Sequence, residues 1–256
     1  MKNIVYLTLL STIFVNQCFA NVGIFEYYIN YSNNSVTTNC GNYGGGISIH
    51  EQNLGSFSNI VGTLSFINIG IKTFENSGDW ASDAKMYYRV YLVGSVPGTF
   101  EVLYLSDNGY ISGGNKLWKH DNFNIVDKIE SDSYGTYVIE LYFEVTGNYN
   151  GGSWTPPAEN NGGDNFKPTF EYKENVIVTD HTFNSDVTFE NLVIDAQKTL
   201  TIDKTASVTI TGNFTNNGTL TLDSDSVEFS SIIIDGTPSG NITYNRWVNS
   251  VDNGTT

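Results

Sequence analysis

Residues Val187–Val248 read VTFENLVIDAQKTLTIDKTASVTITGNFTNNGTLTLDSDSVEFSSIIIDGTPSGNITYNRWV. Short runs alternate hydrophobic and polar side chains, and Asn, Asp or Gly closes each run. Thr199-Leu200-Thr201-Ile202, Val208-Thr209-Ile210-Thr211 and Thr219-Leu220-Thr221-Leu222 each set aliphatic residues on one face and threonines on the other. A period of two is the signature of a half-buried strand. Strand starts recur about every ten residues, the spacing of stacked turns in a β-roll, a short β-solenoid or a hairpin array. Asn217-Gly218 and Asp235-Gly236 predict tight reversals at positive φ. Each rung buries roughly two or three aliphatic side chains at about 1.5–3 kcal/mol each, against about 1–2 kcal/mol of backbone entropy per residue. One rung alone does not hold, so rungs must stack. Such a chain makes a surface rather than an enclosed pocket of its own.

Upstream, the same period predicts a first domain over residues 21–172, with the stacked segment over 173–256. Its expected strands are Ile24–Tyr31, Thr63–Ile67, Ala84–Val93, Thr99–Leu105, Tyr137–Glu144 and Phe166–Tyr172. Met86, Tyr88 and Val90 share one face, and Tyr87, Arg89 and Tyr91 the other. Turn clusters such as Asn76-Ser77-Gly78-Asp79 and Ser106-Asp107-Asn108-Gly109 separate these runs. Six or seven strands over about 150 residues suit an antiparallel immunoglobulin-like β-sandwich. The predicted class is all-β: that sandwich followed by a short stacked β-roll or β-solenoid-like segment. Gly147–Asp164 reads as a long polar loop, a surface excursion or a mobile flap. Pro168 cannot donate to a ladder, which predicts a sheet-edge strand after that loop.

Lys2, the apolar run Ile4–Val15 and the small residues Cys18 and Ala20 flanking Phe19 predict a secretory signal peptide over 1–20. At about 1.5 Å per residue the apolar run is too short to cross about 30 Å of hydrocarbon. Lipoprotein processing at Cys18 is an alternative that Val15-Asn16-Gln17 fits poorly. Later segments contain no long apolar stretch, so no transmembrane segment is expected in the mature chain, which reads as exported and soluble. Removal of the leader leaves Cys40 without an internal partner, so the fold does not depend on a disulfide. Its neighbours Asn39, Gly41 and Asn42 supply neither base nor cation, and a buried thiol is expected. The chain carries 12 Lys and Arg against 27 Asp and Glu, a formal charge of −15 that disfavours nucleic-acid partners. With 16 Tyr and 15 Phe, it has the apolar mass for packed β cores rather than a disordered tail.

The run VTITGNFTNNGTLTL followed by SGNITYNRWV resembles segments of large secreted surface proteins of flavobacteria and other Bacteroidetes. The first domain is similar to a β-sandwich of the same proteins. There NLGSFS (Asn53–Ser58), KTFENSGD (Lys72–Asp79), MYYRVY (Met86–Tyr91), YGTYVIELYFE (Tyr134–Glu144) and NNGGDNFKPTF (Asn160–Phe170) occur in this order. The resemblance implies export and surface display or release, commonly by type IX secretion of adhesin-like proteins. Such proteins usually end in a further sorting domain. Here the sequence stops at Thr256, so a front fragment of a longer protein or a shortened relative is expected.

His50, His120 and His181 stand far apart, and His50-Glu51 lacks the second histidine of a zinc-protease helix. Neither a nucleophile elbow nor a phosphate loop nor a paired-cysteine metal motif is present. The expectation is a non-enzymatic chain. Trp80, Trp118 and Trp154, with Tyr110 and Tyr149, fall in or beside polar loops. They are candidates for stacking on sugar rings, or they plug the ends of the core. Asp79 with Asp83, Asp164 with Asn160 and Asn161, and Asp223 with Asp225 and Glu228 group oxygen ligands. Asx-turn duty is their default role, and a structural calcium, with Asp79, Asp83 and Asp164 as ligands, is the alternative. The Asn-x-Thr triplets at Asn213, Asn217, Asn241 and Asn253 match a glycosylation pattern that chance also produces in such strands. Two functions follow: a surface, adhesion or structural module, and a carbohydrate-binding module of a longer secreted hydrolase. The expected partners are extracellular polysaccharide or surface proteins.

Overall fold

The structure is a computed structural model that describes residues 22–42, 46–75, 78–129, 133–149 and 151–244. The expected signal peptide and Cys18 lie outside the described residues. Within them the chain is all-β, with three short 3-10 turns and no α-helix. The first domain runs, in chain order, β1 (Val22–Asn33), β2 (Val36–Gly41), β3 (Asn53–Ser58), β4 (Leu64–Glu75), β5 (Trp80–Leu92), β6 (Glu101–Tyr104), β7 (Ser106–Tyr110), β8 (Lys116–Asn124), β9 (Gly135–Tyr149), β10 (Gly152–Trp154) and β11 (Thr169–Lys173). One sheet has the order β2-β1-β4-β8-β7 and the other β3-β11-β9-β5-β6, with β10 paired to β9. Pairing is antiparallel except between β3 and β11, which run parallel.

The two sheets close on one core. Tyr27 and Ile29 of β1, Phe66, Ile69 and Ile71 of β4, and Met86 and Tyr88 of β5 meet Ile139, Leu141 and Phe143 of β9. The alternation in Met86–Tyr91 therefore sorts as expected, Met86 and Tyr88 inward and Tyr87 outward. Aromatic rings carry much of the packing: Phe57 stacks on Phe170, and Tyr27 lies against Phe143 and Phe166. Cys40 is a free, buried thiol whose pKa burial pushes up.

Three local features differ from the sequence reading. Asn34 and Ser35 both take positive φ, 48° and 73°, and fold β2 back on β1 as a hairpin although no glycine marks the turn. The segment after β9 is no flap. β10 pairs with the end of β9, Glu159 bridges Phe143 and Phe166 bridges Leu141, so β9 satisfies its backbone. Pro168 sits just before β11, where only its carbonyl is needed, and it accepts from Ile139 N at 2.9 Å. Thus β11 is an inner strand between β3 and β9.

The second region is a parallel stack of three-stranded coils. The first coil holds β12 (Val176–Ile177), β13 (His181–Phe183) and β14 (Val187–Phe189), and the second β15 (Leu192–Ile194), β16 (Thr199–Ile202) and β17 (Ser207–Ile210). The third holds β18 (Phe214–Asn216), β19 (Thr219–Leu222) and β20 (Ser231–Ile234), and β21 (Pro238–Ser239) with β22 (Thr243–Tyr244) begins a fourth. Each strand pairs in parallel with its counterpart one coil on, a repeat of about twenty residues. Leu200 stacks on Leu220, Ile202 on Leu222 and Val208 on Ile232 inside, while Thr199 and Thr201 align with Thr219 and Thr221 outside. Of the roll, solenoid and hairpin readings, this is the solenoid. Strand starts are unevenly spaced rather than set about every ten residues, and three strands complete each coil.

Parallel stacking changes what the turn residues do. Asp180, Asp186 and Asn191 each accept, through Oδ1, a backbone N–H one coil on, from Thr199, Ser207 and Asn213 (all 2.8 Å), and Asn213 repeats this with Thr237 (3.2 Å). Gly218 and Gly236 do not take the positive φ expected of hairpin turns. They are glycines because the neighbouring coil is too close. A Cβ on Gly218 would lie 2.2 Å from the Lys198 carbonyl oxygen and 2.5 Å from that of Asp195. Gly218→Ala is therefore expected to destabilise the coils by about 1–3 kcal/mol through forced backbone movement. An unchanged urea midpoint in that variant would refute the close-approach account.

Candidate functional site

The structure gathers part of the sequence-predicted site at one end of the sandwich, where β4 hands over to β5 beside β7 and β8. Glu75, the last residue of β4, is the hub. Its Oε1 accepts from Ala81 N (2.8 Å) and its Oε2 from the Tyr110 hydroxyl (2.8 Å). One carboxylate thus ties the start of β5, at Trp80-Ala81, to the end of β7. Trp80 is 49% exposed and Tyr110 66% exposed. A bulge between Ala81 and Asp83 shifts the alternation of β5, so Ala81 points into the core and Trp80 points out.

Lys116 braces this end from β8. Its Nζ pairs with Asp107 Oδ2 (2.8 Å), reaches the Ala81 carbonyl (3.4 Å), and lies 4.5 Å above the Trp118 ring and 5.7 Å from the Tyr110 ring. Hydrogen bonding from Lys116 holds the Asp107 carboxyl below its usual range. The Glu75 carboxylate pushes the Tyr110 phenol up. Trp118 itself is only 4% exposed, and its Nε1 donates to Thr73 Oγ1 at 3.1 Å. It plugs the core, the second role read from the sequence, and offers no face to a ligand, so it leaves the stacking candidates. Trp154, in β10, is half-buried against the same core. Tyr149 ends β9, and its side chain lies outside the described residues.

The oxygen-ligand candidates do not converge. Asp79 is buried before β5, Asp83 pairs with Lys85 (2.8 Å), and Asp164 is exposed after the 3-10 turn Asn161–Gly163. Asn160 Oδ1 accepts from Gly163 N (3.0 Å), the Asx duty expected there. Asp225 accepts from the backbone of Val227 and Glu228 and pairs with Lys204. The Lys204 hydrogen bond first, and those two N–H groups next, lower its pKa to about 2. Among the described residues no group of three or more His, Cys, Asp or Glu side chains is placed to hold a metal ion. His120 lies in β8, His181 in β13, and His50 beside Glu51, so no two share an element.

Two further surfaces escaped the sequence. On the outer face of β5 and β9, Tyr87 stacks on Tyr142, Phe100 meets Tyr142 edge-on, and Arg89 lies 4.3 Å over Phe100. The alternation foretold outward tyrosines but not their cross-strand register. Tyr87 and Tyr142 each give one ring face to the other. A cleft of about 720 Å³ opens between β1–β3 and the first coils, bordered by Asn33, Asn53, Leu54, Val178, Lys198 and Asn217. Nothing in one segment announces it, because its walls come from both regions. No helix among the described residues is long and apolar enough to cross a membrane. No family model and no curated protein matches the chain.

Proposed function

We propose that the chain is an exported, non-enzymatic surface module of the adhesion type, in which stacked coils carry the sandwich and the sandwich presents its loops. The observation that carries this reading is how the coils are fastened to the sandwich. Ile60 and Val61, from the β3–β4 connection, pack on the coil core. Asn59 and Asn175 exchange hydrogen bonds of 2.7 and 3.0 Å, and Lys173 pairs with Asp195 at 2.7 Å. A stem continuous with its head transmits load, which suits attachment and is unneeded in a diffusing enzyme. Export follows from the leader read in the sequence, and the type IX route from the resemblance to Bacteroidetes surface proteins.

The test is retention under flow. Beads coated with the chain lacking residues 1–20 are expected to stay on bacterial or polysaccharide-coated surfaces at shear that clears beads bearing an unrelated acidic all-β protein. Equal clearance of both sets would sink the reading. A carbohydrate-binding module of a longer hydrolase is the second reading. One observation favours it: Trp80 and Tyr110 are exposed, and one carboxylate with acceptor capacity to spare binds the N–H next to Trp80 and the hydroxyl of Tyr110.

A further inference from the structure

We infer that the Trp80–Glu75–Tyr110 rim binds neutral polysaccharide, taking pyranose rings whose hydroxyls are mostly equatorial. The inference rests on the reading of the chain as a binding module and gives that module a ligand class. Three observations carry it.

The first is the exposure of two aromatic side chains whose neighbours are fixed. Tyr110 is held by its hydroxyl at Glu75 and by the Lys116 ammonium near its ring. Trp80 is anchored by the Glu75 bond to the next residue's N–H and by its place opposite Asn148 in the β5–β9 ladder. Tyr110, held at its hydroxyl, loses little freedom on binding, and Trp80 has only two side-chain torsions to fix. The face of an equatorially substituted pyranose is a patch of C–H bonds, which suits a ring, and its rim is hydroxyls.

The second is spare acceptor capacity on the carboxylate that ties the two ring-bearing segments together. An ionised carboxylate offers about four lone-pair sites. Glu75 uses two, one from each side of the rim. Asp107 receives Gly109 N (2.8 Å) and Lys116 and keeps the remainder. Sugar hydroxyls are donors that such oxygens can take.

The third is charge. Glu75 and Asp107 outnumber Lys116, whose ammonium is already committed to Asp107 and the Ala81 carbonyl, on a chain of net −15. Uronates, sulfated glycans and phosphates are repelled.

The experiment is affinity electrophoresis of the chain lacking residues 1–20 in gels containing hydroxyethyl cellulose, laminarin, galactomannan or alginate. Retardation is expected in at least one neutral gel and absent in alginate. Trp80→Ala and Tyr110→Ala should each weaken it at least tenfold, while Trp118→Phe, at a buried position, should leave it near the parent value. Tyr110→Phe keeps the ring and should retain most of the retardation. Circular dichroism of each variant confirms the fold, since both rings are exposed. Absence of retardation in every neutral gel, retardation by alginate alone, or binding indifferent to both alanine variants would overturn the inference. If beads still hold under flow in those cases, the adhesion reading survives without this site.

Discussion

Arg89→Ala is expected to destabilise the sandwich by about 3–5 kcal/mol at neutral pH, because it strands a buried carboxylate. Glu140 is only 5% exposed. Its Oε2 receives Arg89 through Nε (2.9 Å) and a terminal nitrogen (2.6 Å), with the Tyr91 hydroxyl at 3.3 Å, and its Oε1 receives Asn165 Nδ2 (2.8 Å). Arg89 also donates to the Gly98 carbonyl at 3.0 Å. Burial alone would raise the Glu140 pKa. The hydrogen bonds from Asn165 and Arg89, and the charges of Arg89 and Lys167, outweigh it and hold the carboxyl below its ordinary 4.5. A carboxyl with a depressed folded pKa contributes stability above the unfolded value that is lost as pH falls through the folded value. Without Arg89 the burial effect dominates, and the group takes up its proton at higher pH. The gap between parent and variant should therefore be widest near pH 7 and narrow below about pH 4.5. Urea denaturation followed by the emission of buried Trp118 measures it at both pH values. Arg89→Lys should recover only part, since an ammonium cannot reproduce the two-pronged contact. A loss under about 1 kcal/mol, or a gap indifferent to pH, would refute the assignment.

How far these features could be read from the chain depends on whether one segment contains the cause. Period two in Tyr137–Phe143 and in Thr199–Ile202 is local, and both strands bury the side chains it selects. Trp80 precedes the strand expected from Ala84, and a bulge between Ala81 and Asp83 reverses the alternation there, so its exposure was not legible. Beside Gly113-Gly114-Asn115, Trp118 reads either as a stacking ring or as a core plug, and the start of β8 decides it by turning the ring inward onto Thr73, which lies far away in sequence. The parallel pairing of β3 with β11 joins segments over a hundred residues apart, and no turn residue encodes it. Asn-Gly pairs mislead in the coils because the same dipeptide serves two purposes, a positive φ in a hairpin or a bare Cα under a neighbouring coil. The Glu75 hub was hidden because a carboxylate at a strand end declares no partner. Only the β4–β5 crossover and the return of β7 bring Ala81 and Tyr110 to its two oxygens.

Phe214→Ala should remove about 3–5 kcal/mol from the coils and leave the sandwich nearly untouched. Phe214 is fully buried, seated between Leu192 of the coil before and Pro238 of the coil after. Truncation opens a phenyl-sized gap that a stack of short strands closes poorly, since each strand is fixed by parallel ladders on both sides. In an array of this kind each coil touches only its neighbours, so the loss falls on the second to fourth coils. The fasteners to the sandwich, Ile60, Val61 and the Lys173–Asp195 pair, act on the first two coils. Trp80, Trp118 and Trp154 all lie in the sandwich, and Trp247 lies outside the described residues. In a Trp247→Phe background, tryptophan emission therefore reports the sandwich while far-ultraviolet circular dichroism reports both regions. The expected result is a dichroism transition displaced to lower urea with the emission transition in place, and faster hydrogen exchange in β15 and β18 than in β5 and β9. If both transitions move together, the coils and the sandwich unfold as one unit and the nearest-neighbour account of the stack is wrong.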